Sequence, residues 1–350
     1  MRLVLTTHVE ADMKKYIGID LHSNNSVVLV SDEEDRVIFQ KRMANDLKLI
    51  EAALAPHRDE AVGVVIESTY NWYWLVDGLM DAGYRVHLAN ASGIRKYEGL
   101  KYSGDVADAA YLAHLLRLGL LAEGYIYPRE QRGARDLSRK RQQLVRYRTA
   151  QILSIEGMLM RQTGARINST AVKGLTSEQV EAFGFAPDVT LAVEVNRAVS
   201  QTLEQQIDAV EKRLRERVSL RGEFTLLRTV PGIGETLATT IMLETGTIAR
   251  FAQVGNYSSY CRCVDSLRES NGKKKGKGNA KNGNKYLAWA FVEAANFAVR
   301  YCPQAKSFYE RKKRKTNGIV AIKALAHKLA RACYHMLREH RPFDVNRCFA

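Results

Sequence analysis

Three apolar runs in the first third of the chain are closed or interrupted by carboxylates, and this constrains the fold more than any other feature. The runs are Tyr16-Ile17-Gly18-Ile19-Asp20, Val64-Val65-Ile66-Glu67 and Gly104-Asp105-Val106-Ala107-Asp108-Ala109-Ala110. Runs this apolar belong in an interior, where an ionised carboxylate is costly unless paired or coordinated. Asp20, Glu67, Asp105 and Asp108 brought together would repel one another unless a cation joined them. Hard divalent cations such as Mg²⁺ or Mn²⁺ take oxygen ligands and serve phosphate chemistry. The pattern points to an enzyme that acts on nucleic-acid backbones.

The segments between the runs supply an element order. Tyr16–Leu21, Ser26–Ser31 and Arg36–Arg42 read as strands, the last two joined by the turn Asp32-Glu33-Glu34-Asp35. Connections this short imply antiparallel pairing. Asn45–Leu54 reads as a helix with Pro56 just beyond it, and Ala61–Ile66 as a fourth strand. Tyr70–Ala82 has helical spacing and ends at Gly83, and Tyr84–Ala89 is a fifth strand. Asp105–Leu120 reads as a helix whose first turn holds Asp105 and Asp108, three apart and so on one side. The order β-β-β-α-β-α-β-α is that of the ribonuclease H-like fold shared by RuvC-type nucleases. There, acids lie on the first strand, at the end of the fourth and on a late helix. His22, two residues after Asp20, is a neighbour of this set, though a single His beside a strand is more often incidental.

A formal net charge of +15 and a pI near 9.6 favour a polyanionic partner, nucleic acid first and an anionic membrane second. Hydrophobic residues at 46% favour a folded chain over a disordered one. No run reaches the roughly 20 apolar residues of a membrane span. The N-terminus lacks a signal-peptide pattern, and five cysteines form no framework; both favour the cytoplasm.

Beyond residue 125 the pattern becomes helical. Pro128 opens a long helix crowded with Arg129, Arg132, Arg135, Arg139, Lys140, Arg141, Arg146 and Arg148. A second helix covers about Leu191–Val218, and Thr163–Ser177 between them reads as a loop. The pair reads as a coiled-coil spacer or dimerisation hairpin, and arginines such as Arg139 and Arg146 add possible phosphate contacts. From residue 223 a third, mostly α-helical segment begins. Its Pro231-Gly232-Ile233-Gly234 matches the turn of a helix-hairpin-helix, in which Gly232 and Gly234 would let backbone N–H groups approach a phosphate. An ordinary Gly-rich turn between helices is the alternative. Lys273, Lys274, Lys275, Lys277, Lys281 and Lys285 form a mobile cationic loop suited to a nucleic-acid backbone. Ser270 stands at its mouth, placed to attack a phosphodiester or simply to make a turn before Asn271-Gly272. Phe291–Tyr301 and Val320–Arg338 read as packing helices, with a second basic cluster at Arg311-Lys312-Lys313-Arg314-Lys315. Cys261-x-Cys263 has no matching second pair, so zinc is not expected.

Taken together, these motifs resemble the DEDD transposases of one bacterial insertion-sequence family, bridge-RNA-guided serine recombinases. The resemblance rests on Ile19-Asp20, Ile66-Glu67, Asp105-Val106-Ala107-Asp108-Ala109, Val230-Pro231-Gly232-Ile233-Gly234, Ser270-Asn271-Gly272-Lys273 and Lys281-Asn282-Gly283-Asn284-Lys285-Tyr286-Leu287. It implies a RuvC-like catalytic domain at 1–125, a coiled-coil spacer at 126–222 and a C-terminal transposase domain at 223–350. It also implies Mg²⁺ or Mn²⁺ on Asp20, Glu67, Asp105 and Asp108, and Ser270 as nucleophile. Donor and target DNA, a structured guide RNA, and a homodimer assembling to a homotetramer are the implied partners. Where the family usually shows Ser-Gly, this chain has Ser270-Asn271-Gly272, which leaves Ser266 as a second candidate. A metal-dependent endonuclease of the Holliday-junction type, with water as nucleophile, is the alternative activity.

Overall fold

The computed structural model describes residues 13–90, 93–94, 104–264, 267–277 and 282–350. Two compact units divide it, Met1–Arg129 and Glu130–Ala350.

The first unit is built on a five-stranded sheet of order β3-β2-β1-β4-β5. Its strands are β1 (Lys15–Leu21), β2 (Asn25–Ser31), β3 (Val37–Ala44), β4 (Ala61–Glu67) and β5 (Val86–Ala89). β1, β2 and β3 form antiparallel pairs, whereas β1–β4 and β4–β5 are parallel, as their crossover connections require. The helices are α1 (Leu47–Leu54), α2 (Tyr73–Asp81) and α3 (Asp105–Arg117). α1 begins later than the apolar spacing alone suggests because the Asp46 side chain accepts from the Lys48 and Leu49 amides, making Asp46 the cap.

Alternation along the strands separates two faces. Ile17, Ile19, Leu21, Val64 and Ile66 pack with Ile50, Leu54, Leu75 and Leu79 of α1 and α2. On the other face Tyr16, Val27 and Leu29 meet Ala109 and Ala113 of α3, and Val65 meets Leu112. The approach of α3 is set by Gly18. A Cβ there would lie 1.9 Å from the Ala109 carbonyl oxygen, so only glycine lets the helix backbone settle on β1.

In the second unit α4 (Arg129–Thr163) and α7 (Pro187–Val218) run antiparallel, with Arg141 on Glu211 and Arg148 on Glu204, the latter at 2.8 Å. The buried positions of α7 include Val193, Ser200, Ile207 and Leu214, a strict seven-residue spacing that gives a coiled-coil seam. The expected loop between these helices instead holds α5 (Ser169–Lys173) and α6 (Ser177–Ala182). Asn168 caps the first and a Thr176/Gln179 capping box starts the second.

The remaining elements are α8 (Gly222–Leu227), α9 (Glu235–Thr245), α10 (Val254–Tyr260), β6 (Leu267–Ser270), β7 (Lys273–Lys277), α11 (Lys285–Tyr301), α12 (Pro303–Lys315), α13 (Gly318–Glu339) and α14 (Val345–Phe349). α8, α9, α11 and α13 share one apolar core. The Arg311–Lys315 cluster forms the end of α12, where cations complement the helix dipole.

The lysine-rich segment departs from the expectation of a mobile loop. Residues 267–277 form an antiparallel hairpin whose turn is Asn271-Gly272, with φ of 54° and 68°. Asn-Gly is the preferred pair for a two-residue turn with both φ values positive, and it outweighs the run of like charges that suggested a mobile loop. Among the described residues no helix is long and apolar enough to cross a membrane.

Candidate active site

The sheet places the acids on one face. Asp20 follows Tyr16 and Gly18 at two-residue steps, so it faces α3, and only 4% of it is exposed. β4 runs parallel to β1 with Ile19 opposite Ile66, which carries Glu67 to the same strand ends as Asp20. The N-terminus of α3 supplies Asp105 and Asp108 to that face. Gly104 precedes the helix without a side-chain cap, and the positive end of the dipole favours both carboxylates.

Ligand atoms of Asp20, His22 and Asp105 all lie within 4.8 Å of one another. His22 Nε2 is 3.2 Å from Asp20 Oδ2 and 3.3 Å from Asp105 Oδ2. Glu67 and Asp108 fall outside this tight group, yet their charges reach Asp20. Burial pushes the Asp20 carboxyl above its usual range; His22 opposes the shift, and the charges of Glu67, Asp108 and Asp105 add to it. Asp105 shifts the other way, held low chiefly by a hydrogen bond from Arg42.

Arg42 was not expected at the site. Asp20 pairs with Val27 and Val27 with Arg42, so the three form one row across the sheet and Arg42 shares the face of Asp20. The backbone carbonyl of His22 is fixed by Asn45 Nδ2 at 3.0 Å and Asn71 Nδ2 at 2.9 Å. Asn45 and Asn71 in turn accept from Ser26 and Thr69.

The donor set fits a divalent cation. Asp20 Oδ2 and His22 Nε2 are shielded from solvent and lack a hydrogen-bond partner, although 3.2 Å apart. The carboxylate oxygens are the ligand type that Mg²⁺ or Mn²⁺ takes.

In the second unit Ser270 ends β6, is exposed, and pairs with Lys273 across the turn. Ser266 and Lys281 lie outside the described residues. Lys273, Lys275 and Lys285 are exposed, and Lys274 and Lys277 lie on β7. Gly234 caps α9 without a side-chain hydrogen bond, and Gly232, with φ of 90°, presses the turn onto α11: a Cβ would lie 2.4 Å from the Ala294 carbonyl oxygen. Arg146 is exposed. Arg139 has a different role from the phosphate contact expected of it. Its guanidinium donates to both oxygens of the buried Glu244, at 2.6 and 2.8 Å, and lies 4.6 Å from the Tyr286 ring. Asn284 Nδ2 also donates to Glu244, at 2.7 Å, while Asn284 Oδ1 caps α11. This network ties α4 and α9 to the N-terminus of α11.

Residues 17–162 match the model of a transposase family of the DEDD type, and residues 224–310 match the transposase IS116/IS110/IS902 family. The chain belongs to the IS110 family of transposases. A probable family 20 transposase of Pseudomonas aeruginosa is 25% identical over 276 residues, covering 76% of this chain and 80% of that protein. The transposase is thus a DNA-cleaving enzyme of insertion-sequence transposition and DNA recombination. Its five-stranded unit is the ribonuclease H-like DEDD domain, followed by a mostly helical C-terminal region. The DEDD family implies a divalent metal, and the transposase family implies DNA binding.

Proposed function

We propose that this transposase exchanges DNA strands through Ser270, with Mg²⁺ or Mn²⁺ held by Asp20, Glu67, Asp105 and Asp108. The observation that carries the reading is the exposed Ser270 at the end of β6, paired with Lys273 of the lysine-rich β7 inside the family's second matched segment. In the proposed step the Ser270 Oγ–P bond forms as the P–O3′ bond breaks. The proton lost from Oγ is balanced by the one gained at O3′, leaving a phosphoserine and a free 3′-hydroxyl. The bound cation supplies positive charge against the reacting phosphate. Lys273, Lys274, Lys275, Lys277, Lys281, Lys285 and Arg146 follow the nucleic-acid backbone, and the N–H groups around Gly232 and Gly234 approach a phosphate.

In this reading 1–125 is the RuvC-like catalytic domain, 126–222 the coiled-coil spacer and 223–350 the serine-bearing domain. Acids and serine come from different protomers of a homodimer that assembles to a homotetramer, which withholds cleavage until synapsis. A structured guide RNA pairs with donor and target DNA, while the basic protein holds backbones. A second reading, a metal-dependent endonuclease with water as nucleophile, draws on the fact that Asp20, His22 and Asp105 gather within the first unit alone.

Ser270→Ala separates the two. Strand exchange through serine predicts that the variant folds normally but forms no covalent protein–DNA species on a denaturing gel and cuts no DNA. Cleavage that continues without an adduct would instead establish water as the nucleophile.

A further inference from the structure

The turn between α8 and α9 opens onto a groove of about 780 Å³ that neither the acids nor Ser270 uses. One wall is Val230–Gly234. The other is a stripe of α11 at four-residue steps, Trp289, Glu293, Phe297 and Tyr301. Tyr301 is 73% exposed and Phe297 37%, although the rest of α11 packs tightly through Ala290, Ala294 and Ala298. The Phe297 and Tyr301 rings are parallel to within 11° and centred 6.5 Å apart, close to two base steps of about 3.4 Å. The Arg300 guanidinium lies 5.6 Å from the Phe297 ring, Arg228 stands at the rim, and the first-turn N–H groups of α9 carry no side-chain cap. Glu235, also at the rim, is matched by Arg228 and Arg215 at 3.1 and 3.2 Å.

We propose that this groove receives an unpaired base of the DNA strand, stacked on Phe297 and Tyr301, with its phosphate toward the Gly232–Gly234 turn. Cations and N–H groups at the margin with flat apolar rings inside match the amphipathic shape of a nucleotide. Glu293, set among the rings, would repel a phosphate but accept a hydrogen bond from an exocyclic amino group, as an acid does from cytosine N4. The site therefore selects an amino-bearing base such as cytosine over thymine. This assignment does not depend on Ser270.

The test measures binding of the full-length protein to short oligo-dC, oligo-dT and duplex DNA by fluorescence anisotropy. Tyr301→Ala and Phe297→Ala are expected to weaken oligo-dC binding about tenfold and leave duplex binding unchanged, with Tyr301→Phe near wild type. Glu293→Gln is expected to remove the preference for oligo-dC over oligo-dT. Melting curves establish that each variant is folded. Equal losses on duplex, or no loss at all, would overturn the proposal. So would a change in sedimenting mass with Tyr301→Ala, which would assign the rings to a second copy of the chain. Oligo-rC bound more tightly than oligo-dC through the same residues would assign the groove to RNA.

Discussion

Asp20 lies in the central strand of a sheet covered on both faces, whereas Ser270 ends a strand of a two-stranded hairpin and is exposed. The carboxylates are positioned by backbones in contact, fixed by Gly18 below Ala109 and by the register of β1 on β4. The serine is positioned by the Asn271-Gly272 turn and its pairing with Lys273. A metal site needs ligands fixed within tenths of an ångström before the ion arrives, and a sheet with a close-packed helix provides that. An attacking group has to reach a bulky phosphodiester, and a projecting hairpin suits that task. The difference gives the two regions separate sensitivities to substitution.

The largest effect should come from the ion pair of α4 and α9 in the second unit. Arg139→Ala strands the Glu244 carboxylate, 1% exposed, without its cation, and should cost about 3–5 kcal/mol in urea unfolding. A variant of normal stability that had lost DNA affinity would return Arg139 to a phosphate-binding role and undo the contrast. Gly18→Ala comes next, at about 2–3 kcal/mol, because the methyl group meets helix backbone rather than a movable side chain. Its loss should appear in global unfolding and weaken metal binding measured by calorimetry.

Gly272→Ala should cost about 1 kcal/mol, the price of a left-handed residue with a Cβ. It should register as faster amide exchange in β6 and β7 with an unchanged Tm. A fall in global Tm would mean that the hairpin is as integral as the sheet. The smallest effect reverses sign. The Asp20 carboxyl titrates higher folded than unfolded, so its contribution to stability is present at low pH and lost as pH rises through the folded value. Asp20→Asn should therefore raise the Tm of the metal-free protein at pH 7–8 by about 2–4 °C while abolishing cleavage, and the gain should vanish in acid. A lowered Tm at neutral pH would mean that ionised Asp20 is stabilised without a metal.

The acids were legible in the sequence because each one closes or interrupts an apolar run, and a buried run leaves a carboxylate few roles. His22 was visible but ambiguous, since two-residue spacing on a strand puts it on the face of Asp20 only if the strand continues. Arg42 was not legible: its place depends on two strand registers, Asp20 on Val27 and Val27 on Arg42. The hairpin was signalled by Asn271-Gly272, but six lysines within thirteen residues read as a solvated loop. Arg139 and Arg146 look alike in a basic run. What separates them is Glu244, 105 residues away, which pairs with Arg139.

Gly18 also bears on how such a site can change over generations. The distance between the strand that carries Asp20 and the helix that carries Asp105 is a contact of main chain on main chain. Ordinary drift among the surrounding valines, leucines and isoleucines reshapes the packing on either side of that contact without lengthening it. The spacing behaves like a ruler with one mark: it stays while residue 18 lacks a side chain, and any other residue there moves the whole helix. Gradual adjustment of the acid spacing by core substitution is closed to this fold, so changes in metal preference must come from the acids themselves or from their neighbours His22 and Arg42.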